Sequence, residues 1–356
     1  MASYISFQPS DFFNSLLWTG TGATNARTGL GFQPDLTWIK CRDSAFDHVV
    51  QDAVRGATYQ LNTNNNAGQT NRTDEVTSFD ADGFTLGSDG TEGVVNNSGD
   101  TYIGWNWKAG TTTGIDTTGS TITPTAYSFN QTSGFSIVQY NGNDTAGAKI
   151  PHGLGVAPDF VIVKTLGDAN AWVCQHEALG PTYYQYIDTT AAATTGTTKF
   201  NDTAPDAVNV TVGSGGNTNG SGGDSPLIMY SFAEKKGFSK INKYTGNTSA
   251  TDGPFVYCGF RPAFIIIKAQ AQTTNWIISD SKRLGYNVDN NPLYTDVNVA
   301  AGTANNLDLL SNGFKIRNGS GSGSVNEINT DGEKYNYIAF AEFPLVSSNS
   351  KAGTAR

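Results

Sequence analysis

The residues that could do chemistry are few and scattered. Histidine is the usual general base and metal ligand, and the chain has three, His48, His152 and His176. They share no short spacing, and an acid–base or metal site would need them to converge. His48 and His176 stand near Asp52 and Glu177 in strand-like segments, and a satisfied or surface histidine is expected at each position. Asp80, Asp82 and Asp89, or Asp188 with Asp202, could offer oxygens to Ca²⁺. No Asp-x-Asp-x-Asp-Gly loop surrounds them, and Asx turns account for them at less cost. Residues 213–223 are glycine-rich but lack the Gly–Lys–Ser/Thr ending of a phosphate cradle. Ser44, Ser279 and Ser281 sit in no nucleophile elbow. Cys41, Cys174 and Cys258 have no metal-ligand spacing and cannot all pair, so buried thiols are expected. The sequence therefore assigns no catalytic, cofactor-binding or metal-binding residue, and the chain is not expected to be an enzyme. Tyr183, Tyr184, Tyr186, Tyr286 and Tyr294 could stack on sugar faces, cap a core or fill an interface. A structural use is the expected one.

The elements that would position these residues recur. Gly31-Phe-Gln-Pro-Asp-Leu-Thr-Trp-Ile-Lys40 returns as Gly155-Val-Ala-Pro-Asp-Phe-Val-Ile-Val-Lys164 and as Gly259-Phe-Arg-Pro-Ala-Phe-Ile-Ile-Ile-Lys268. A Gly–x–x–Pro corner feeding an apolar run reads as a turn and then a strand. The run does not alternate, which predicts a central strand covered on both faces or one at a module interface. A second strand follows in each copy, with His48, Trp172 and Trp276 in matching places. Residues 62–77, 188–201 and 289–306 are rich in Asn, Thr and Ala and read as surface loops with short edge strands. Ala81-Asp-Gly-Phe-Thr-Leu86 matches Ser311-Asn-Gly-Phe-Lys-Ile316, whereas Ala207-Val-Asn-Val-Thr-Val212 has lost its Gly–Phe. An aromatic strand closes each copy, and period-two reading puts Ile103, Trp105 and Trp107 on one face. Ile228, Tyr230 and Phe232 are their counterparts, then Asn336, Ile338 and Phe340. From Lys40 to Trp107, Lys164 to Phe232 and Lys268 to Phe340 the intervals are 67, 68 and 72 residues. The repeat is thus a whole domain, longer than solenoid units of about 20–50 residues.

The expected organisation is module 1 over 1–110, a Thr/Gly-rich linker over 111–126, module 2 over 127–235, module 3 over 236–346 and a polar tail over 347–356. With almost no linker between them, modules 2 and 3 should keep a fixed register while module 1 is offset. The three copies could lie around a local pseudo-threefold or in a row. Aromatic and β-branched residues punctuated by turn formers make the class all-β. The net charge of −9 argues against nucleic acid as a partner. No apolar run approaches the roughly 20 residues that span a bilayer, and no membrane partner is expected. The amino terminus does not read as a signal peptide, so synthesis in a cytosol without Sec-type export is expected.

Four blocks carry a resemblance: Gly29-Leu-Gly-Phe-Gln-Pro-Asp-Leu-Thr-Trp-Ile-Lys40, Ser78-Phe-Asp-Ala-Asp-Gly-Phe-Thr-Leu86, Gly99-Asp-Thr-Tyr-Ile-Gly-Trp-Asn-Trp-Lys-Ala109 and Phe255-Val-Tyr-Cys-Gly-Phe-Arg-Pro-Ala-Phe264. They resemble a family of repeated β-modules in structural proteins of tailed bacteriophages, many of them marine. The resemblance implies tandem antiparallel β-sandwiches of concanavalin or jelly-roll type in three diverged copies. It also implies a non-enzymatic virion protein made in the host cytoplasm, tail fibre or tail-associated first, head-decorating second. The implied partners are other virion proteins and copies of itself, a trimer among the arrangements, with host surface glycan as a further one. It implies no catalytic residue, cofactor or metal. A polysaccharide depolymerase would need paired carboxylates across a cleft, which three similar copies do not single out.

Overall fold

The computed structural model describes residues 7–90, 92–222, 225–249, 251–283, 287, 291–303, 307–317 and 328–344. The fold is all-β, with every strand pairing antiparallel. Each module builds its larger sheet in the same order: opening strand, closing strand, Gly–x–x–Pro strand, second strand. In module 1 these are Phe13–Thr19, Thr101–Trp107, Leu36–Cys41 and Val49–Asp52. In module 2 they are Phe135–Tyr140, Leu227–Phe232, Phe160–Thr165 and Val173–His176, with Pro124–Asn130 added outside and Tyr183–Tyr186 and Thr194–Thr195 beyond. In module 3 they are Ser239–Thr245, Lys334–Pro344, Phe260–Ala269 and Ile277–Asp280, ending in Leu293–Tyr294. The registers coincide: Leu36 lies between Trp107 and Asp52, Phe160 between Phe232 and His176, Phe264 between Phe340 and Asp280.

A shorter sheet covers one face of each larger sheet. Modules 1 and 3 use three strands, Asn25–Thr28, Gly83–Leu86 and Val76–Asp80, then Phe255–Tyr257, Gly313–Ile316 and Leu307–Leu310. The Gly–Phe pair explains the close fit. A Cβ on Gly83 would lie 1.8 Å from the Arg27 carbonyl oxygen, and one on Gly313 2.0 Å from that of Val256. The next residue, Phe84 or Phe314, then fills the core. Module 2 has Asn209 and Val210 at these places. Its short sheet keeps only Ala148–Pro151 and Asn209–Val212, and a one-turn helix, Thr197–Phe200, inserts Phe200 into the core instead.

A second threefold device stands at the end of each opening strand. Trp18, Tyr140 and Tyr244 each donate from the polar tip to a carbonyl, those of Val95, Thr218 and Ile328. The following residues, Asn96, Asn219 and Asn329, are buried and each accepts a backbone N–H, from Thr21, Asn143 and Asn247. Between aromatic and acceptor loop stands a glycine. Cβ atoms on Gly20, Gly142 and Gly246 would fall 2.1, 2.2 and 2.3 Å from a facing carbonyl oxygen. The aromatic–x–Gly motif therefore fastens each opening strand to the loop before its closing strand.

The Gly–x–x–Pro strands are buried along their whole apolar runs, and their two faces serve different cores. Ile39, Val161, Val163, Ile265 and Ile267 point into their own sandwich. Leu36, Trp38, Phe160, Ile162, Phe264 and Ile266 point the other way, into one core shared by all three modules. The predicted face of the closing strand joins them: Ile103, Trp105, Trp107, Ile228, Tyr230, Phe232, Ile338 and Phe340. Asn336 is buried at the same face and donates to Gln185 of module 2.

The three large sheets thus face one another around a pseudo-threefold axis, and the ring is closed. Gln69 N–H donates to the Leu166 carbonyl, Ala193 N–H to that of Gln270, and Ala301 N–H to that of Arg42. Each acceptor lies two residues beyond the lysine of its motif. Module 1 is therefore not offset from the other two. The loops expected at the surface also need correction in part: Thr63 and Thr295, inside the first and third of them, are buried where modules meet. Nor is 111–126 a free linker. Strand Pro124–Asn130 begins inside it, Ile122 packs into module 2, and Thr111 bridges Phe129. The tail over 347–356 lies outside the described residues.

Candidate functional site

The groups most unusual for this composition gather where the modules meet. Lys40, Lys164 and Lys268 end the three motif strands and are wholly buried. Burial disfavours the charged form, and it pulls Lys40 and Lys164 down to about 8. Carbonyl oxygens receive the ammonium groups. Lys40 Nζ donates to Cys41 at 2.8 Å and Ser44 at 3.3 Å, both in its own module. Lys164 Nζ reaches Thr165 at 2.9 Å and, in module 1, Asn66 at 3.2 Å. Lys268 Nζ donates to Thr274 and, in module 2, to Thr190 at 2.8 Å. Two of the three lysines are thus bonded into the preceding module's loop.

The second strands repeat the pattern. Trp172 Nε1 donates to the Asn62 carbonyl and Trp276 Nε1 to that of Tyr186, each at 2.8 Å. Their backbone N–H groups donate to Asp188 and Asp296. Burial raises both carboxylates to about 6. Module 1 differs in a compensated way: His48 replaces the tryptophan, and Trp38 stands where the others have Ile162 and Ile266. Trp38 Nε1 donates to His48 Nδ1 at 3.0 Å. Burial holds His48 neutral, well below the ordinary histidine range. At the axis, Thr63 Oγ1 donates to the Thr295 carbonyl and Thr295 Oγ1 to that of Ile187, each at 2.9 Å.

Inside this collar lies an apolar cavity of about 40 Å³, lined by Trp38, Trp107, Trp172, Phe232, Phe264 and Phe340 among others. It has room for little more than a water and offers it no polar partner. Below it, Asp52 pairs with Arg55 at 2.5 Å and accepts the Tyr230 hydroxyl at 2.7 Å, joining modules 1 and 2. Asp280 pairs with Arg283 at 2.6 Å at the matching place in module 3. Module 2 has His176 there, held near 4 by burial and bonded to the Tyr337 carbonyl. Many of these contacts cross from one module to the next, and the chemistry they can do is to hold the ring in one register.

The other sequence candidates go to separate places. His152 interacts with the Asp206 carbonyl at 3.1 Å and accepts from Leu154 N–H. Asp82 receives Gly29 and Gly31 N–H from a distant segment, and Asp89 receives Val95 and Asn96 N–H, so these carboxylates bind backbone. Asp188 bonds the Trp172 backbone as described. Among the described residues no group of His, Cys, Asp and Glu could hold a metal ion. The three thiols are free and buried, with Cys258 pushed up to about 12 by its surroundings. Residues 216–219 turn as a short helix that places Asn219 for its clamp. Tyr184 and Tyr186 meet edge to face, Tyr294 lies in a strand, and only Tyr183 of the described tyrosine candidates is largely exposed. Tyr286 lies outside the described residues.

A family model described as a domain of unknown function, DUF7483, matches residues 8–344. No curated protein and no solved structure matches the chain.

Proposed function

From the premise that the chain belongs to the DUF7483 family, whose model spans nearly all of it, we propose that it is a non-enzymatic structural protein of a tailed-phage particle, placed on the tail. One observation carries the reading: three modules are locked by one shared apolar core into a closed pseudo-threefold ring. Such a ring is a trimer imitated within one chain. It suits a rotationally symmetric site, where each module can present the same flank to a neighbour. The buried lysines, histidines and carboxylates hold the ring, which leaves the solvent faces of the modules to meet other virion proteins. The phage assignment itself rests on the sequence blocks quoted above.

A head-decorating role is the second reading, and the compact ring favours it, since a ring seats on a shell as well as on a tail. Contact with host polysaccharide is a third, supported by Tyr183 and by Tyr59 at the equivalent place in module 1, both substantially exposed. Imaging intact particles and counting copies at each site tests the proposal. Copies arranged around the tail are expected. Copies spread over the shell would move the protein to decoration, and its absence from particles would overturn both.

A further inference from the structure

The three junctions of the ring are built from matching positions, and one of them departs. Ala53 N–H donates to the Asp35 carbonyl, Glu177 N–H to that of Asp159 and Ser281 N–H to that of Ala263. Two of these places carry a carboxylate. Asp35 Oδ2 accepts the N–H of Ala109 and Asp159 Oδ2 that of Glu234, each two residues past the closing aromatic. Asp35 Oδ1 also takes the Ser128 hydroxyl of module 2. Module 3 has Ala263 at this place and so lacks the carboxylate.

The surroundings of Ala263 change with it. The opening strand of module 1 reaches this junction. Its Ser15 pairs with Trp105 as Ile137 pairs with Tyr230 and Ile241 with Ile338. A hydroxyl therefore stands where the other two modules send isoleucine into the shared core. Ser281 and Lys282 hold the places of Ala53 and Val54. A cleft of about 220 Å³ lies here, lined by Ser15, Ala263, Ser281, Lys282 and Glu342 among others. Glu342 corresponds to Ala109 and Glu234, and its charge is met by Arg261 at 2.7 Å. Ser15 is only 5% exposed. Among the described residues its hydroxyl and that of Ser281 have no hydrogen-bond partner, and Lys282 has no ion pair. A buried donor without an acceptor is costly, and an ammonium beside it favours an anionic one.

We propose that this cleft binds a small carboxylate, whose oxygens stand in for the missing aspartate and accept from Ser15, Ser281 and Lys282. Two sources carry that group, a free small acid and the C-terminus of a polypeptide. The site goes beyond the particle assignment and stands without it.

The first probe is sodium acetate, titrated into the full chain against sodium chloride at constant ionic strength, with the amide chemical shifts of Ser15 and Ser281 as readout. Saturable shifts with a midpoint below about 20 mM are expected for acetate, and none for chloride. The second probe is N-acetyl-tri-alanine, as free acid and as amide. A free acid that binds tighter than acetate assigns a chain terminus, and one that does not assigns a free small acid; either upholds the carboxylate site. Ala263→Asp installs the residue of modules 1 and 2, and Ser15→Ile does the same on the strand. Each should weaken acetate binding at least about tenfold, with the urea midpoint maintained as proof of folding. Lys282→Gln, at an exposed position, should weaken it about threefold or more. No saturation by either probe up to about 50 mM, an equal response to chloride or to the amide, or binding that survives in folded Ala263→Asp overturns the proposal.

Discussion

The three copies are alike where they meet and unlike where they face water. On the axis, Ile103, Ile228 and Asn336, then Trp105, Tyr230 and Ile338, then Trp107, Phe232 and Phe340 occupy matching places in one buried surface. At the outer edges one such triplet is Ala26, Lys149 and Phe255, which pair with Thr85, Thr211 and Lys315. The difference has a physical source. The axial side chains lie in one core shared by all three modules, and interiors are dense enough that a change of one methylene is felt. An outer position answers only to its own sheet. One departure on the axis is paired: Trp38 with His48 in module 1 replaces Ile162 with Trp172 and Ile266 with Trp276.

The strongest way to break this contrast is Trp105→Ala. Its ring contacts Trp38 of its own module and Phe264 of module 3, so the loss falls on more than one module. A cost of about 3–5 kcal/mol is expected in guanidinium unfolding. The chain should still unfold in one transition, with intrinsic fluorescence and far-ultraviolet circular dichroism coincident. Separate transitions would show that the modules are independent and the shared core is not decisive.

The paired exception gives a sharper test. Trp38→Ile alone strands His48 Nδ1, and His48→Trp alone strands the Trp38 indole N–H while adding bulk. Each single change should cost about 1–3 kcal/mol. The double variant copies modules 2 and 3 and should recover at least about 1 kcal/mol in a double-mutant cycle. Additive losses would mean the two positions do not compensate.

Lys164 tests the collar through pH. Its folded pKa, about 8, lies below the ordinary 10.5. Between those values the unfolded chain holds the proton and the folded chain does not, so wild-type stability rises with pH across that window. Lys164→Met lacks this contribution. Wild type should therefore gain about 1–3 kcal/mol on the variant between pH 8 and pH 10.5, measured as urea midpoints. A constant gap would refute the depressed pKa. The smallest effect is expected outside: Phe255→Ala with Tyr257→Thr should shift stability by no more than about 0.5 kcal/mol, read as the urea midpoint of the isolated chain.

Strand identity and module number were legible because they are local. A Gly–x–x–Pro corner fixes where a strand starts, and period two fixes which side chains share a face. The unbroken apolar runs even implied two covered faces. The loops were misread because composition reports polarity, not destination. Thr63 and Thr295 are polar and still buried, since each donates to a carbonyl of another module. Of the functional candidates, Asp89 binds backbone N–H groups six and seven residues on, whereas Asp82 and His152 bond segments more than fifty residues away, which no local spacing shows. Lys40, Lys164 and Lys268 read in the sequence only as the ends of the motif, without their burial, because a lysine ending a strand ordinarily lies in water.

The sequence by itself determined three β-modules, their strand order in the chain and the side chains of each face, since these follow from turn chemistry and side-chain alternation within a few residues. Only the tertiary structure decided that the modules close into a ring. Closure depends on the carbonyls of Leu166, Gln270 and Arg42 meeting N–H groups of the preceding module. Pairings between distant segments leave no spacing in the chain from which they could be read.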